Sequence, residues 1–197
     1  MHEYSCDNDR RDTVNLISLL VCAAAAFAFA YAIDRLLGGI NVLLDFLLFV
    51  VSFGPFSFWI MFTDCFSHML LWLSGIRDLS GTYKGELETS FDSFTESYPI
   101  TIVIRHGFRE MEIGFITESS RSCSTTASLH QDVDRVEIVY TYENDGAVKE
   151  GLNRHIGTCI ITVENDRIEG SYYTHPDRSS YGKIIAYKGF ARKDGIR

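Results

Sequence analysis

The sequence predicts two N-terminal transmembrane α-helices followed by an all-β domain, a compact eight-stranded antiparallel up-and-down β-barrel. Three observations carry this prediction. Residues 14–63 hold only three formally charged side chains, whereas the rest of the 197-residue chain is rich in charge. From residue 80 onwards apolar and polar residues alternate with a period of two, as in strands that have one buried face. Turn sequences containing Gly, Asn, Asp or Pro separate several of these segments, and no helical segment lies between them.

The N-terminal part predicts a helical hairpin in a membrane. Residues 1–13 are expected to form a cytoplasmic tail, and residues 14–75 two spanning helices with an interfacial extension. The run Val14–Ile33 is uncharged and, at about 1.5 Å per residue, matches the roughly 30 Å hydrocarbon thickness of a bilayer. A signal peptide is the competing interpretation, which we reject because a second apolar run, residues 40–62, follows at once. The arginine pair at residues 10–11 favours the cytoplasm for both chain ends.

The second apolar run contains a carboxylate and a helix-breaking pair. Gly54-Pro55 should kink a helix at this point. A carboxylate within a span is costly, so Asp45 either lies near the helix start and reaches the headgroups or lines a seam between helices. Residues 64–73 carry Trp72 and look amphipathic, which predicts an interfacial extension of the second helix.

Residues 76–197 are expected to form the cytosolic barrel. The eight predicted strands are 81–91, 98–105, 110–117, 121–130, 134–142, 155–163, 167–174 and 181–191. Short connections allow all of them to run antiparallel as a meander, which favours a closed barrel over a β-sandwich. An eight-stranded barrel is nearly filled by its own side chains or holds one small ligand.

Charge, cysteine content and motifs exclude several classes of function. The net charge of −8 argues against binding of duplex nucleic acid, which requires a strongly basic face. The five cysteines are odd in number and form no C-x-x-C pair, which indicates reduced thiols and not a disulfide framework. The sequence has no metal-binding, P-loop, dinucleotide-fingerprint or G-x-S-x-G motif. We therefore expect no enzyme, metal or cofactor.

A hydroxyl-rich segment is the first candidate for ligand binding. Seven of the ten residues from 119 to 128 are Ser or Thr. The segment is either an edge hairpin with a polar outer face, or a strand that points Ser122 and Ser124 into the barrel. In the second case the small side chains would leave volume and offer hydrogen bonds to a polar ligand.

Aromatic and cationic side chains are the second candidates. Tyrosines on predicted strands are either polar core residues that need a hydroxyl partner or a stacking platform for nucleobases. Two arginines near strand ends either bind a phosphate at the barrel mouth or are solvated rim charges. The complete set of binding candidates is Tyr83, Arg105, Ser122, Ser124, Tyr140, Tyr142, Tyr172, Thr174 and Arg178.

The order of these segments resembles a known family. The segments that carry the resemblance are Leu79–Leu87 (LSGTYKGEL), Phe115–Thr117 with the following serines, Val139–Asn144, His155–Thr158 and Ile168–Thr174. Together with two apolar runs and a strand-rich domain, they resemble the SMODS-associating two-transmembrane, β-strand-rich effectors of bacterial CBASS antiphage defence. The resemblance extends over essentially the whole chain.

The resemblance implies a function. In this family a partner nucleotidyltransferase (CD-NTase) makes a cyclic nucleotide, and the barrel binds it. The resemblance implies that the ligand of this chain is a cyclic dinucleotide. The chains then form homo-oligomers, and the spans disrupt the inner membrane in abortive infection. Two other classes remain open from the residues: a membrane-tethered barrel that carries a lipid or another apolar ligand, and a membrane-anchored enzyme.

Overall fold

The computed structural model describes residues 1–37, 57, 59–118, 120–144, 155–174 and 179–189. The chain divides into two compact units. The first contains Met1–Asp7, Asp78–His106 and Glu110–Arg197, and the second contains Asn8–Arg77 with Gly107–Arg109. The described part of the first unit is a β-barrel, and that of the second is helical.

Nine described strands form the closed barrel. They are β1 (His2–Cys6), β2 (Gly81–Thr89), β3 (Ser97–His106), β4 (Glu110–Ile116), β5 (Arg121–Gln131), β6 (Val136–Asn144), β7 (His155–Glu164), β8 (Arg167–Thr174) and β9 (Tyr181–Lys188). Each of β2 to β8 pairs antiparallel with the next strand in the chain, and β9 pairs antiparallel with β2 to close the ring. These strands lie where the period-two alternation placed the eight predicted strands, because each buries every second side chain. In β3, for example, Ile100, Ile102 and Ile104 are buried.

The prediction of eight strands is corrected by β1. Residues 2–6 were assigned to an N-terminal tail, but they form a strand that enters the barrel between β4 and β5. At the end where their connection lies, β4 and β5 pair directly, through Gly114–Ile116. Below this point the register of β5 shifts between Ser124 and Thr126, and β1 lies in the gap, antiparallel to β4 and parallel to β5. Five residues with one buried aromatic group carry too short an alternation to indicate a strand.

The end of the barrel at which β3 ends and β4 begins is filled by packed side chains and a hydrogen-bond network. The backbone N–H of Leu79 donates to Nδ1 of His106 at 3.2 Å, so this nitrogen carries no proton. The neutral ring therefore donates from Nε2 to the hydroxyl of Tyr4, at 3.0 Å. Tyr83 donates its own hydroxyl to the carbonyl of Leu79 at 3.1 Å. Each of these buried polar groups has a hydrogen-bond partner, which offsets the cost of burying an aromatic and imidazole cluster at this end.

The helical unit contains α1 (Asp9–Leu37) and α2 (Ser67–Leu73). Asn8 caps α1, because its side-chain oxygen accepts the N–H of Arg11 at 3.0 Å. Two acidic residues in the first turn, Asp9 and Asp12, are favourable beside the positive end of the helix dipole. The indole N–H of Trp59 donates to the Ser18 hydroxyl of α1 at 3.0 Å.

The predicted transmembrane hairpin is wrong for the described part of the chain. There, no helix combines the length and the apolarity that a membrane crossing demands. A spanning helix needs about 20 nearly continuous apolar residues. The first predicted run, Val14–Ile33, lies within α1 after the charged start DRRD, and α2 has only seven residues. Most of the second predicted run, residues 40–62, lies outside the described residues, and so does Asp45.

Candidate functional site

The barrel holds a cavity of about 710 Å³ at the end opposite the His106 cluster. It is built from the last residues of β2, β4, β6 and β8 and the first residues of β3, β5, β7 and β9. The described residues that line it are Leu87, Thr89, Phe91, Tyr98, Pro99, Phe115, Thr117, Glu118, Ser120, Ser122, Tyr140, Tyr142, Asn144, His155, Cys159, Tyr172, Thr174, Ser180 and Ile184. The barrel is thus packed at one end and open inside at the other. A volume between roughly 300 and 1,000 Å³ is typical of sites for small molecules.

Two tyrosines reach across glycines on the neighbouring strands. Tyr142 of β6 is paired with Gly157 of β7, and Tyr172 of β8 with Gly182 of β9. A Cβ atom on Gly157 would lie 2.4 Å from the Cζ and hydroxyl atoms of Tyr142, and one on Gly182 would lie 2.4 Å from Cε1 of Tyr172. Because only glycine leaves this space, the two rings lie flat over the adjacent backbone while still lining the cavity. The glycines therefore determine where the aromatic surfaces lie.

The floor of the cavity is uncharged at neutral pH. Cys159 of β7 faces Tyr140 of β6 in the register and is buried. Burial raises the pKa of the Cys159 thiol to about 12, although its hydrogen bond with Tyr140 acts in the opposite direction. Burial, with a smaller contribution from Cys159, also raises the pKa of the Tyr140 hydroxyl well above its ordinary value. Both groups keep their protons, so the floor offers polar contacts without a negative charge.

The rim of the cavity is rich in hydroxyl groups. Thr117 and Ser120 approach each other to 3.0 Å between their side-chain oxygens, and Thr174 and Ser180 do the same, also at 3.0 Å. The Tyr172 hydroxyl lies 2.6 Å from Oγ1 of Thr89. Such groups both donate and accept hydrogen bonds, so the rim can pair with the sugar, phosphate or base edges of a polar ligand.

Few ionisable side chains line the cavity. Among the described lining residues there is no lysine or arginine, and Glu118 is the one carboxylate, which is exposed. The ring of His155 meets Tyr142 edge-on, with the ring centres 6.4 Å apart at an angle of 84°. Aromatic rings, hydroxyls and one imidazole favour recognition by stacking and hydrogen bonds over an ion-pair mechanism.

Five of the nine candidates from the sequence line this cavity: Ser122, Tyr140, Tyr142, Tyr172 and Thr174. They share one end of the barrel and the inward face of their strands, which is why the structure brings them together. Whether they contact a ligand stays a prediction.

Three other candidates lie elsewhere. Tyr83 is buried in the packed end of the barrel and bonded to Leu79. Arg105 is exposed and pairs with Glu112 at 2.9 Å. Ser124 accepts the N–H of Ile113 at 2.9 Å and contacts Nε2 of His2 at 2.7 Å, so its hydroxyl serves the junction of β1, β4 and β5. Arg178 lies outside the described residues.

Several lining residues were missed. Phe115 and Thr117 lie two and four residues after the buried Ile113, and Ser120 lies two residues before Ser122, so the alternation puts each of them on the inward face. Extending the alternation to the last residue of each strand would have selected them. Asn144, His155 and Ser180 lie at or beside strand ends, and alternation does not show which end of the barrel such residues reach, so only the folded barrel reveals their position.

Comparison with known proteins identifies the domain. Residues 74–188 match the family model of the Cap15 cyclic dinucleotide receptor domain. The match covers more than half of the 197 residues and ends on the last residue of β9, so it contains the whole cavity. Among curated proteins, none matches the chain significantly.

Proposed function

The chain belongs to the Cap15 cyclic dinucleotide receptor family, a family of CBASS effectors that bind cyclic nucleotides, and from this premise we propose that its cavity binds a cyclic dinucleotide. The observation that carries the proposal is the half-open barrel, with an interior of about 710 Å³ lined by tyrosine rings and hydroxyl groups. A cyclic dinucleotide presents two bases, two riboses and two phosphates. Aromatic rings stack on any base, because every base has a π-face, and hydroxyls bond to sugars and phosphates.

The charge of the cavity suits such a ligand. A cyclic dinucleotide carries two negative charges, and each carboxylate near it would weaken binding. The thiol of Cys159 and the hydroxyl of Tyr140 stay protonated because burial raises the pKa of both groups. The uncharged, hydroxyl-rich floor therefore suits a dianion, although the exposed Glu118 is one carboxylate of the described lining and the chain as a whole carries a net charge of −8.

Activation is the second part of the proposal. The chain acts without catalysis in CBASS defence, where a partner SMODS-type CD-NTase supplies the messenger. Ligand binding favours a homo-oligomer, which disrupts the inner membrane and ends the infection of the cell. The chain ends face the cytoplasm, where the messenger is made. A ligand can shift such an equilibrium only by binding the oligomeric state more tightly, and a change from 1:99 to 99:1 requires about 5.5 kcal/mol in total.

Calorimetric titration of the full-length chain tests ligand binding. We expect at least one of cyclic di-AMP, cyclic di-GMP and cyclic GMP–AMP to bind. Tyr142→Ala should weaken this binding by about 5-fold to 150-fold, since one base–aromatic stack contributes about 1–3 kcal/mol. Tyr142→Phe should retain most of the affinity, and Tyr187→Ala, which removes an exposed ring outside the cavity, should bind like the unmodified chain. Failure of all three probes to bind would overturn the proposal.

The cellular step needs a separate experiment. Cells that express the chain with an active CD-NTase should lose their membrane potential, and cells in which Tyr142→Ala replaces the chain should keep it. A persistent potential in both strains would contradict membrane disruption while leaving ligand binding intact.

The alternative of a lipid carrier is less well supported. A lipid site needs a dry interior lined by aliphatic groups. The described lining instead carries six serine or threonine hydroxyls and four tyrosine hydroxyls, among them Thr89, Ser122 and Tyr140, against three aliphatic residues. Mass spectrometry of the purified chain decides between these ligands. A stoichiometric lipid that a cyclic dinucleotide does not displace would favour the alternative.

A further inference from the structure

Two hydroxyl pairs at the cavity rim are built in the same way. In the first, the N–H of Thr117 donates to the carbonyl of Ser120 at 2.9 Å, and the N–H of Ser120 donates back to Oγ1 of Thr117 at 3.0 Å. In the second, Thr174 donates to the carbonyl of Ser180 at 2.9 Å, and Ser180 donates back to Oγ1 of Thr174 at 2.8 Å. In both pairs the side-chain oxygens are 3.0 Å apart. The same hydrogen bonds thus hold a Thr hydroxyl beside a Ser hydroxyl twice in one barrel.

The two pairs lie on opposite walls. The Thr117–Ser120 pair joins the end of β4 to the start of β5, and the Thr174–Ser180 pair joins the end of β8 to the start of β9. In the order of the strands around the barrel, β3 and β2 separate these two positions on one side, and β6 and β7 separate them on the other. Two strands in either direction place the pairs across the cavity mouth from each other. The arrangement has an approximate two-fold axis along the barrel.

An aromatic ring accompanies each pair. Phe115 of β4 precedes Thr117, the first residue after that strand, by two residues, and Tyr172 precedes Thr174 by two residues on β8. Because alternate residues of a strand share a face, each ring lies on the cavity side, one step further in than its threonine. All four of these residues line the cavity. Each wall therefore presents an aromatic ring with a Thr–Ser pair above it.

We propose that these two positions recognise the two halves of a cyclic dinucleotide, with one phosphate at the Thr117–Ser120 pair and the other at the Thr174–Ser180 pair. The inference rests on the proposed function and specifies how that site works. A cyclic dinucleotide has two nucleotide units related by an approximate two-fold axis, which the walls of the barrel match. Ser and Thr hydroxyls are common partners of phosphate oxygens, and a hydrogen bond to an ionised group is stronger than one between neutral groups.

The arrangement also explains how a dianion binds where the described lining offers no lysine or arginine. In each pair the Thr hydroxyl accepts the Ser N–H and donates to the Ser carbonyl, at 3.3 Å for Thr117 and 3.0 Å for Thr174. The Ser hydroxyl, held 3.0 Å from this fixed Thr oxygen, is therefore the donor that can turn to the ligand. Preorganised donors cost little entropy to use, so neutral groups can bind a phosphate that they would otherwise hold weakly. Ligand affinity should therefore depend on the serine hydroxyls of both walls about equally.

The test uses Ser120→Ala, Ser180→Ala and the double variant in the full-length chain. Each substitution removes one hydroxyl and keeps the backbone bonds of the turn. With a symmetric probe, cyclic di-AMP or cyclic di-GMP, we expect each single variant to bind about tenfold more weakly and the double variant about 100-fold, because contacts on separate walls act independently. Ser120→Thr and Ser180→Thr retain the hydroxyl and should stay within a few-fold of the unmodified chain. Ser97→Ala is the matched control, since it removes an exposed strand hydroxyl outside the cavity.

Phosphorus-31 NMR of the bound probe separates the two walls. The bound ligand should give two resonances, of which Ser120→Ala shifts one and Ser180→Ala the other. If both substitutions move the same resonance, or if only one of them weakens binding, the two-wall arrangement is wrong. If the unmodified chain binds the probe and both alanine variants bind equally well, this inference fails while the proposed function stands. If no probe binds the unmodified chain, both fail.

Discussion

Tyr4 provides the sharpest test of the N-terminal strand, the element of the barrel that lies furthest in sequence from the strands beside it. Its side chain is only 5% exposed, and its hydroxyl accepts from His106 Nε2 at 3.0 Å, with the two rings 5.3 Å apart in an edge-on arrangement. Tyr4→Phe keeps the ring and removes the hydroxyl that accepts from the buried imidazole N–H of His106. An unsatisfied buried donor costs about 1–3 kcal/mol, so the free energy of unfolding should fall by that amount.

Tyr4→Ala adds the loss of the ring. Truncation of a buried aromatic side chain costs about 3–5 kcal/mol, a large fraction of the total stability of a typical domain. Urea denaturation, monitored by the far-ultraviolet circular dichroism of the strands, measures the free energy of unfolding of both variants. Ser5→Ala is the matched control, because Ser5 points outward from the same strand and its removal should change the free energy by less than about 0.5 kcal/mol. If Tyr4→Ala is as mild as Ser5→Ala, then β1 contributes nothing to the barrel and the assignment of nine strands is wrong.

Three further predictions concern the cavity. Gly157→Ala should lower the free energy of unfolding by about 1–3 kcal/mol and weaken ligand binding, because its Cβ would lie 2.4 Å from the ring of Tyr142 and from a carbonyl oxygen of β8; equal stability in urea would contradict the assigned ring position. Tyr172→Phe should cost about 1 kcal/mol in the same assay, through loss of the 2.6 Å hydrogen bond to Thr89, and an unchanged midpoint would show that this bond contributes no stability. Folding raises the pKa of the Cys159 thiol from 9.0 to about 12, so between these values the thiol ionises in the unfolded chain and stays protonated in the folded one. The free energy of unfolding is therefore unaffected by this group below pH 9 and falls as the pH rises towards 12, by at most about 1.4 kcal/mol per pH unit. Unfolding measured at pH 8 and pH 10.5 should therefore show a smaller alkaline loss for Cys159→Ala than for the unmodified chain, and identical losses would refute the raised pKa.

The positions of most strands were predictable because alternation is a local property. Residues such as Ile100, Ile102 and Ile104 show their buried face without knowledge of any partner strand. The same rule placed Ser122 and Tyr142 on the inward face of their strands, where they line the cavity. The alternation of inward and outward side chains does not show at which depth of the barrel a residue lies. For this reason Tyr83, which points inward like Tyr142, belongs to the packed end.

Long-range contacts explain the remaining errors. The alternation along β5 predicts that Ser124, like Ser122, lines the cavity. Instead its hydroxyl contacts the backbone N–H of Ile113 and the ring of His2, because β1 lies beside β5. Arg105 lies one residue before the end of β3, close to the predicted strand end, yet its neighbour across the sheet, Glu112, pairs with it outside the cavity. In the N-terminal part, low charge alone suggested spanning helices, and the described helices lack the required combination of length and apolarity.

From the sequence alone came the strand positions, their inward faces and the turns between them, since these depend on the chemistry of neighbouring residues. Only the tertiary structure decided which end of the barrel is filled, how β1 enters between β4 and β5, and that two Thr–Ser pairs face each other across the cavity. These features arise when the ring of strands closes. Closure brings together side chains more than a hundred residues apart, such as Tyr4 and His106, whose contact no local pattern contains.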